Sequence, residues 1–551
     1  MNITQDTKQQ ISEIISAAMS DIAEGVELPA FAVEVPANAV NGDFSCNAAL
    51  VSAKALKRKP RDIAQAIVSR LNTSSMTVEI AGPGFINFFV GQEWFERAVS
   101  GVLAAEGDYG RSNIGEGKRV LLEFVSANPT GPMHIGNARG GAIGDCLAAI
   151  LQFAGYTVER EFYVNDAGNQ IAKLGLSLDI RYRQALGGKL EIPEEAYHGD
   201  DIIHHIENFV KTYGEKYLNF SENDRKAALV DYALPLNIAT LERDLKKYRI
   251  EYDNWFRESA LHEGGQVDEI VRLLDEKGAT YEENGAIFLK TTAFGDEKDR
   301  VLVRSNGVPT YLVPDIAYHY NKLVTRGFDI AIDIFGADHH GYVPRMNAAL
   351  AALGVDTSRL KMLIMQMVRL VRAGETVKLS KRSGKAITLS TLLDEVPVDA
   401  ARFFFNLRDA NTHLDFDLDL AIEETSQNPV YYVQYAHART CNILKRLLEE
   451  DGLTLKSGYP LKYTHEAELV LIRKLSALPE EITEAARAFD PSRLTRYVTE
   501  VAAAFHKFYD ACRVKGEDEA VAQSRLALVA ATGVVIRNAL AIMKVDAPER
   551  M

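Results

Sequence analysis

The chain has 551 residues, 47% of them hydrophobic and 25% charged, an ordinary globular balance with material for three or four packed units. Its formal net charge of −14 counts against a nucleic-acid binder of the simple basic kind but does not exclude one, because contact depends on the local field of one face. Cys46, Cys146, Cys441 and Cys512 are too scattered for a CxxC zinc site or a disulfide framework. With no basic-then-apolar leader and no apolar run near the ~18 residues of a membrane span, a soluble cytoplasmic protein with no membrane partner is expected.

The first element is a helix, because Ile11, Ile14, Ile15, Ala18 and Ile22 fall on one face. MTVEIAGPGFINFFV, from Met76, reads as strand, tight Gly-Pro-Gly turn and strand. Together they predict a small α+β domain over 1–112. A polar linker from Gly115 to Lys118 leads into an apolar strand, Val120 to Val125, then a glycine-rich turn. A helix marked by Ile143, Leu147, Ile150 and Leu151 follows. Strand, glycine-rich turn and helix open a doubly wound α/β domain, predicted over 113–400. Within it, about 180–290 is charge-rich with stripes such as Ile238, Leu241, Leu245 and Tyr248, and reads as a helical insertion. Val301 to Leu312 reads as a hairpin around Asn306-Gly307. Ile330, Ile332 and Ile334 alternate as a strand running into Gly336-Ala337-Asp338-His339-His340. From 401 to 551 an all-helical bundle is expected, with one stripe at Leu494, Val498, Val501, Phe505 and Phe508 and a second helix over Leu526 to Met543. The loop from Gly452 to Pro460 separates two of its helices.

Two stretches carry chemistry. In SANPTGPMHIGNARGGAIGD, from Ser126, Gly131, Gly136, Gly140 and Gly141 allow close backbone approach. The helix that follows offers free N–H groups and a positive dipole end to a phosphate. His134 and Asn137 share the first turn, and both can donate to phosphate oxygens. In VKLSKRSGK, from Val377, Lys378, Ser380 and Lys381 form a cationic loop able to hold charge developing on a pyrophosphate leaving group. Either alone has a bland reading, as a ligand-free βα turn or a solvated basic turn. Their order at the two ends of one α/β domain favours the functional one.

These strings resemble the HIGH and KMSKS motifs of class I aminoacyl-tRNA synthetases, with Asn137 in place of the second histidine and Leu379 in place of methionine. Over nearly the whole chain the resemblance narrows to the arginyl-tRNA synthetase family. It is carried by VEIAGPGFINFFV, EFVSANPTGPMHIGNARG, REFYVNDAGNQ, TYLVPDIAYHY, GADHHGYVPRM, NPVYYVQYAHAR, DPSRLTRYV and VDAPERM. It implies a Rossmann-like parallel-sheet catalytic domain with a helical insertion, an α+β N-terminal domain that contacts tRNA, and an all-α anticodon-binding bundle. The implied reaction joins L-arginine to tRNA(Arg) through arginyl-adenylate. ATP enters as its Mg2+ complex, with no resident protein metal, no separate editing domain and a monomeric enzyme. A class I enzyme for cysteine, glutamine or lysine is the nearest alternative.

The resemblance assigns catalysis to His134, Asn137, Lys378 and Lys381. ATP binding falls to those four with Pro129, Gly131, Gly136, Gly336, Asp338 and Ser380. Arginine binding falls to Glu123, Ser126, Asn128, His134, Tyr311, Asp315, Asp338 and His339, with Tyr311 and Asp315 facing the guanidinium, which wants carboxylate partners. Asp315 could instead be a helix N-cap after Pro314. Two adjacent histidines, His339 and His340, rarely chelate one ion, so no metal site is expected. Lys57, Arg58 and Lys59 are candidates for tRNA phosphate, although such a run is commonly a solvated helix face. Tyr431, Tyr435, Arg439, Arg493 and Tyr509 suit unstacked bases, although the tyrosines could equally pack between helices.

Overall fold

The computed structural model describes every residue except 1, 24, 74, 195 and 378–386. The predicted first helix spans Ile3–Ala23 and buries Ile11, Ile15, Ala18 and Ile22. They pack against an antiparallel sheet of β1 (Val33–Glu34), β2 (Phe44–Cys46), β3 (Met76–Ala81) and β4 (Phe85–Val90), in the order β1-β2-β4-β3. The β3–β4 turn needs its glycines. Gly84 has φ +143°, and a Cβ there would lie 2.9 Å from the Pro60 carbonyl carbon. The basic run forms the turn between helices Ala48–Leu56 and Pro60–Val68. Lys57, Arg58 and Lys59 are therefore exposed on a corner rather than along a helix face.

The central sheet is parallel throughout. Its strands are β5 (Arg119–Glu123), β6 (Thr157–Val164), β7 (Asn254–Arg257), β11 (Ile330–Gly336) and β12 (Leu360–Met365), ordered β12-β11-β5-β6-β7. The chain builds outward from β5 through β6 to β7 and then returns to β5's other side with β11. The switch point, where open α/β sheets bind ligands, thus lies between the carboxyl ends of β5 and β11. There Glu123 and Asp333 are direct register partners. Helix Ile135–Phe153 lies close on this sheet. A Cβ on Gly144 would sit 2.3 Å from Phe124 Cγ, and one on Gly141 2.8 Å from Ile250 Cδ1. Gly140 and Gly141 are buried within the helix, where Met365 of β12 and the Ile250 side chain pack against them, so they serve packing rather than the expected approach of a ligand.

The helical insertion consists of Gly168–Ala185, Asp200–Tyr213 and Glu222–Lys247, with a separate core around Leu178, Tyr182, Ile206 and Phe209. Helix does not continue to 290. Asn254–Arg257 is the sheet's edge strand, where Trp255 stacks on Phe162 at 4.4 Å. β8 (Thr280–Glu283), β9 (Ala286–Leu289) and β10 (Arg300–Val303) form a second, antiparallel sheet. The hairpin expected over Val301 to Leu312 is also only half made. The Asn306-Gly307 turn closes through Gly307 N–H to the Arg304 carbonyl at 2.8 Å. The return makes a single bridge, Pro309 to Val303, flanked by Arg304 N–H to the Val308 carbonyl at 3.0 Å and Thr310 N–H to the Leu302 carbonyl at 2.7 Å, and Leu312 already begins a helix.

The region after 400 is not wholly helical. β15 (Leu414–Asp417) runs parallel to β13 (Val368–Arg372), whose other edge carries β14 (Glu375–Thr376). Helices Pro429–Asp451, Glu466–Ser476, Leu478–Ala488, Ser492–Ala511 and Glu519–Ile542 then form the bundle. Contrary to expectation, Glu519–Ile542 holds an 18-residue window as apolar as a membrane span. Because it runs through the bundle core, 72% of that window is buried. Bundle and parallel sheet share one continuous apolar core.

Candidate active site

Helix Ile135–Phe153 starts at the end of the glycine-rich loop with His134 as N-cap. The cap is reciprocal. His134 Nδ1 accepts from Gly136 N–H at 3.1 Å, and the His134 N–H donates to Asn137 Oδ1 at 3.2 Å. A ring nitrogen that accepts carries no proton, so the neutral ring keeps its hydrogen on Nε2. Burial lowers the His134 pKa, favouring that neutral ring. Asn137, its oxygen engaged, turns its NH₂ to the same task. Both residues keep a donor beyond the cap, at a helix end whose dipole attracts anions.

The loop before the helix is braced from the insertion. Asn237 Nδ2 donates to the Pro129 carbonyl at 2.9 Å, and Asn237 Oδ1 meets His205 Nε2 at 2.7 Å. Asn128 is exposed. Just upstream, Val125 and Ser126 have φ of +69° and +37°, a left-handed conformation that costs a non-glycine residue about 1–3 kcal/mol. Side chains hold it. Ser126 Oγ donates to Glu123 Oε1 at 2.8 Å and accepts from Tyr163 N–H at 3.1 Å, while Tyr252 OH donates to the Phe124 carbonyl at 2.9 Å.

Glu123 is not an open ligand. It is 4% exposed, and its second oxygen accepts from Lys322 Nζ at 2.6 Å. Lys322 also donates to Asp333 at 2.7 Å, and His319 Nε2 meets the other Asp333 oxygen at 2.9 Å. Burial opposes the charge on Asp333, but Lys322 and His319 outweigh it and hold the carboxyl at about 2. Burial keeps Glu123 above its ordinary value despite Lys322.

Asp315 lies in the first turn of helix Leu312–Tyr320, whose N-cap is Tyr311, so the capping alternative does not hold. Burial, with Glu258 and Glu123 nearby, pushes Asp315 up to about 7, while His319 and a hydrogen bond from Tyr342 pull the other way. Burial, Glu258 and Asp315 likewise raise the Tyr163 phenol far above its ordinary value. Asp315 and Glu258, with the phenols of Tyr163 and Tyr342, thus form an acidic cluster beside the closed Glu123 at the switch point, a suitable counterpart for a guanidinium. Tyr311 does not close against Asp315. It is 67% exposed and accepts from Arg345 at 3.2 Å. Gly336 ends β11. Asp338 and His339 follow on a short 3-10 turn, with His339 stacked on Phe335 at 5.1 Å.

Lys378, Ser380 and Lys381 lie outside the described residues, but the flanks of their segment are fixed. Val377 N–H donates to the Leu370 carbonyl. On the far side, Ile135 N–H donates to the Ile387 carbonyl at 3.1 Å and Leu389 N–H to the Met133 carbonyl at 2.8 Å. The chain just beyond the second motif, Ile387 to Leu389, is therefore joined by backbone to the first motif at His134. Arg139 reinforces the join by donating to the carbonyls of Gln366, Asp409 and Thr412.

In the bundle, Tyr431 and Tyr435 stack with rings 7° from parallel. Arg439 donates to Tyr435 OH at 2.7 Å and lies over both Tyr435 and Tyr509, 4.6 and 4.7 Å from the ring centroids. Tyr435 and Tyr509 are 38% and 44% exposed, so this is an open aromatic platform rather than core, with His506 against it. Arg493 does not belong to it. It sits near the opposite end of helix Ser492–Ala511 from Tyr509 and pairs with Glu481 at 3.0 Å.

Sequence reading missed Lys322, Asp333, Glu258, Tyr163, Tyr342 and His506. The available signal was His319-x-x-Lys322, which puts an imidazole and an ammonium on one side of the helical segment that carries Asp315.

Three family models match. Residues 9–90 match the arginyl tRNA synthetase N-terminal domain, 98–443 the catalytic domain of class I tRNA synthetases (R), and 433–551 the DALR anticodon binding domain. The chain is 51% identical over its whole length to the full length of an arginine–tRNA ligase from Caldanaerobacter subterraneus subsp. tengcongensis, and 48% identical, again end to end, to one from Ruminiclostridium cellulolyticum. The solved Thermus thermophilus arginyl-tRNA synthetase covers 99% of this chain, which spans 100% of that one, with a TM-score of 0.76; at 23% identity this speaks to the fold. The reciprocal cap, the acidic cluster at the switch point and matches at this level agree: the chain belongs to the class I arginyl-tRNA synthetase family.

Proposed function

We infer that the chain is an arginine–tRNA ligase, which activates L-arginine with ATP and transfers the arginyl group to the 3′-terminal ribose of tRNA(Arg), releasing AMP and pyrophosphate. The observation that carries the choice of amino acid is the acidic cluster of Asp315 and Glu258 with the Tyr163 and Tyr342 phenols. A cationic, planar side chain satisfies its acceptors, whereas glutamine, cysteine or lysine would leave some of them desolvated and unpaired. Such a mismatch discriminates by about 10⁴–10⁵-fold, which makes a separate editing domain unnecessary.

In the proposed mechanism the arginine carboxylate attacks the α-phosphorus of magnesium-bound ATP in line, and pyrophosphate leaves. The ribose hydroxyl of tRNA then attacks the adenylate carbonyl and AMP leaves. No protein nucleophile is required, so catalysis is positioning and charge stabilisation. The His134 Nε2–H and the Asn137 amide donate to phosphate oxygens without adding charge, Lys378 and Lys381 bring the positive charge, and the Ser380 hydroxyl adds a neutral donor. Glu123, Ser126 and Asn128 hold the ammonium end of arginine, Glu123 through its fixed partner Ser126. Asp315, with Tyr311 and His339 at the mouth, faces the guanidinium. Pro129, Gly131, Gly136, Gly336 and Asp338 border ATP.

The proposed division of labour assigns 1–112 and its corner Lys57–Lys59 to tRNA phosphates, 113–400 to chemistry, and 401–551 to the anticodon through Tyr431, Tyr435, Arg439 and Tyr509. Arg493 is better read as a structural ion pair. The enzyme is proposed to act as a cytoplasmic monomer whose activation step requires bound tRNA. The test is charging of total tRNA with a panel of labelled amino acids, alongside pyrophosphate exchange with and without tRNA. Arginine alone should be charged. Equal charging of glutamine, cysteine or lysine would overturn the assignment.

A further inference from the structure

At the switch point two carboxylates stand side by side in register, Glu123 on β5 and Asp333 on β11, and one ammonium lies between them. Lys322 is fully buried. Its Nζ reaches Glu123 at 2.6 Å and Asp333 at 2.7 Å, and the Tyr318 ring closes a third side at 4.0 Å. The backbone that carries it is unusual. Asn321–Thr325 is a π-helical turn, with Arg326 N–H reaching back to the Asn321 carbonyl. The extra residue in that turn changes the direction of the side chains, and such turns concentrate at functional sites. From Lys322 a line of contacts runs outward. Glu123 accepts from Lys322 on one oxygen and from Ser126 on the other. Ser126 is the second of two non-glycine residues in the left-handed region, and Asn128 follows at the surface. No other side-chain contact on Glu123 is recorded among the described residues.

We propose that Lys322 is a positioning residue for arginine activation. It fixes the Glu123 carboxylate and, through Ser126, locks the strained turn in the shape that presents Asn128 to the amino acid. The proposal rests on the reading that Ser126 and Asn128 face the arginine ammonium. Without the lysine, Glu123 is left beside Asp333 with no cation of its own. It then turns away or takes up a proton, and Ser126 loses the acceptor that holds it.

The test uses full-length enzyme, with rates normalised to the folded fraction measured by circular dichroism. Lys322→Met should lower kcat/KM for arginine by on the order of 10²-fold, the scale of a misplacement of about 1 Å, while the KM for ATP changes no more than about twofold. Lys322→Arg, which keeps the charge and moves the donors, should lose an intermediate amount. Unchanged arginine kinetics in folded Lys322→Met would overturn the proposal and leave Lys322 a purely structural ion. Where Lys322→Met does not fold, the double variant Glu123→Gln/Lys322→Met removes both charges. A loss of arginine kcat/KM in the folded double variant equal to that of Glu123→Gln alone supports the proposal, in which Lys322 acts only through Glu123; wild-type values, or a further loss beyond Glu123→Gln, overturn it. Ser126→Ala and Asn128→Ala separate the two levels. If neither alters arginine kinetics, the reading of the site falls. If both do while the Lys322 variants do not, only the positioning role falls.

Discussion

His134 can donate a proton outward because its other ring nitrogen is already committed to Gly136 within the cap. The same economy governs Asn137, whose oxygen serves the cap and whose amide remains. Charge on the phosphates therefore has to be met elsewhere, which is the reason for the proposed role of Lys378 and Lys381. Lys381→Ala should slow adenylate formation by roughly 10²–10³-fold, as does loss of one donor to a developing anion, measured in single-turnover pyrophosphate release. Asp315 makes a second prediction. A carboxyl raised to about 7 in the free enzyme must lose its proton to pair with a guanidinium. Arginine KM should then be flat above pH 7 and climb roughly tenfold per unit below it. Asp315→Asn should raise arginine KM far more than ATP KM and abolish that climb. Equal effects on both substrates would remove Asp315 from the guanidinium site. The spacing of His134 and Asn137 made their shared turn legible in sequence, and Asp315 stood out as a carboxylate on a helix. Lys322 and Asp333 did not. In Ile330–Ile334 the alternation marks Asp333 as the solvent-facing member of a strand, a rule that fails for a parallel sheet covered on both faces.

Among the elements, the His134 helix shows how tightly the site is mounted. Gly144 lets it approach Phe124 so closely that Gly144→Ala should cost about 1–3 kcal/mol by overpacking, read as a lowered melting temperature. Because the helix start would be displaced from the 387–389 segment it bonds, adenylation should fall as well. Unchanged melting would mean that helix and sheet can part without penalty. The helices and the β3–β4 hairpin were legible because their apolar stripes and glycine turns are local signals. The misses were elements whose partner is remote. Leu414, Phe416 and Leu418 alternate inward, yet β15 exists only because β13 supplies a ladder. Asn254–Arg257 sits beside a long helix in sequence and is drawn into the sheet by Phe162 and Tyr252 packing against Trp255.

At the scale of the molecule, catalytic domain and bundle are joined by charge as well as by apolar core. Asp145, fully buried on the His134 helix, accepts from Arg402 at 2.6 Å and Lys544 at 2.9 Å and pairs with Arg160 at 3.2 Å. Arg402 in turn donates to the carbonyls of Met543 and Tyr248. Burial opposes the Asp145 charge, but the three cations outweigh it and lower its pKa below 3.8. Its stabilisation is therefore complete above that pH and lost as the pH falls through the lowered value. Asp145→Asn should cost about 3–5 kcal/mol by leaving buried cations uncompensated, seen as a lower urea midpoint at pH 7. The aromatic platform belongs to this scale too. Tyr435→Ala should raise the KM for tRNA by roughly tenfold, the weight of one base stacked on an aromatic ring, and leave pyrophosphate exchange at saturating tRNA intact.

The Asp145 cluster has a consequence in time. Asp145 and Lys544 are 399 residues apart, and at about 5–20 residues per second a ribosome needs roughly 20–80 s to go from one to the other. Through that interval the helix bearing His134 is already made, while its carboxylate waits first for Arg402, 257 residues on, and to the end for Lys544, and its apolar face waits for the bundle. Assembly of the catalytic domain is thus completed only when the 543–546 segment leaves the ribosome, so nascent chains stalled before it should remain open to protease at the helix that starts the chemistry.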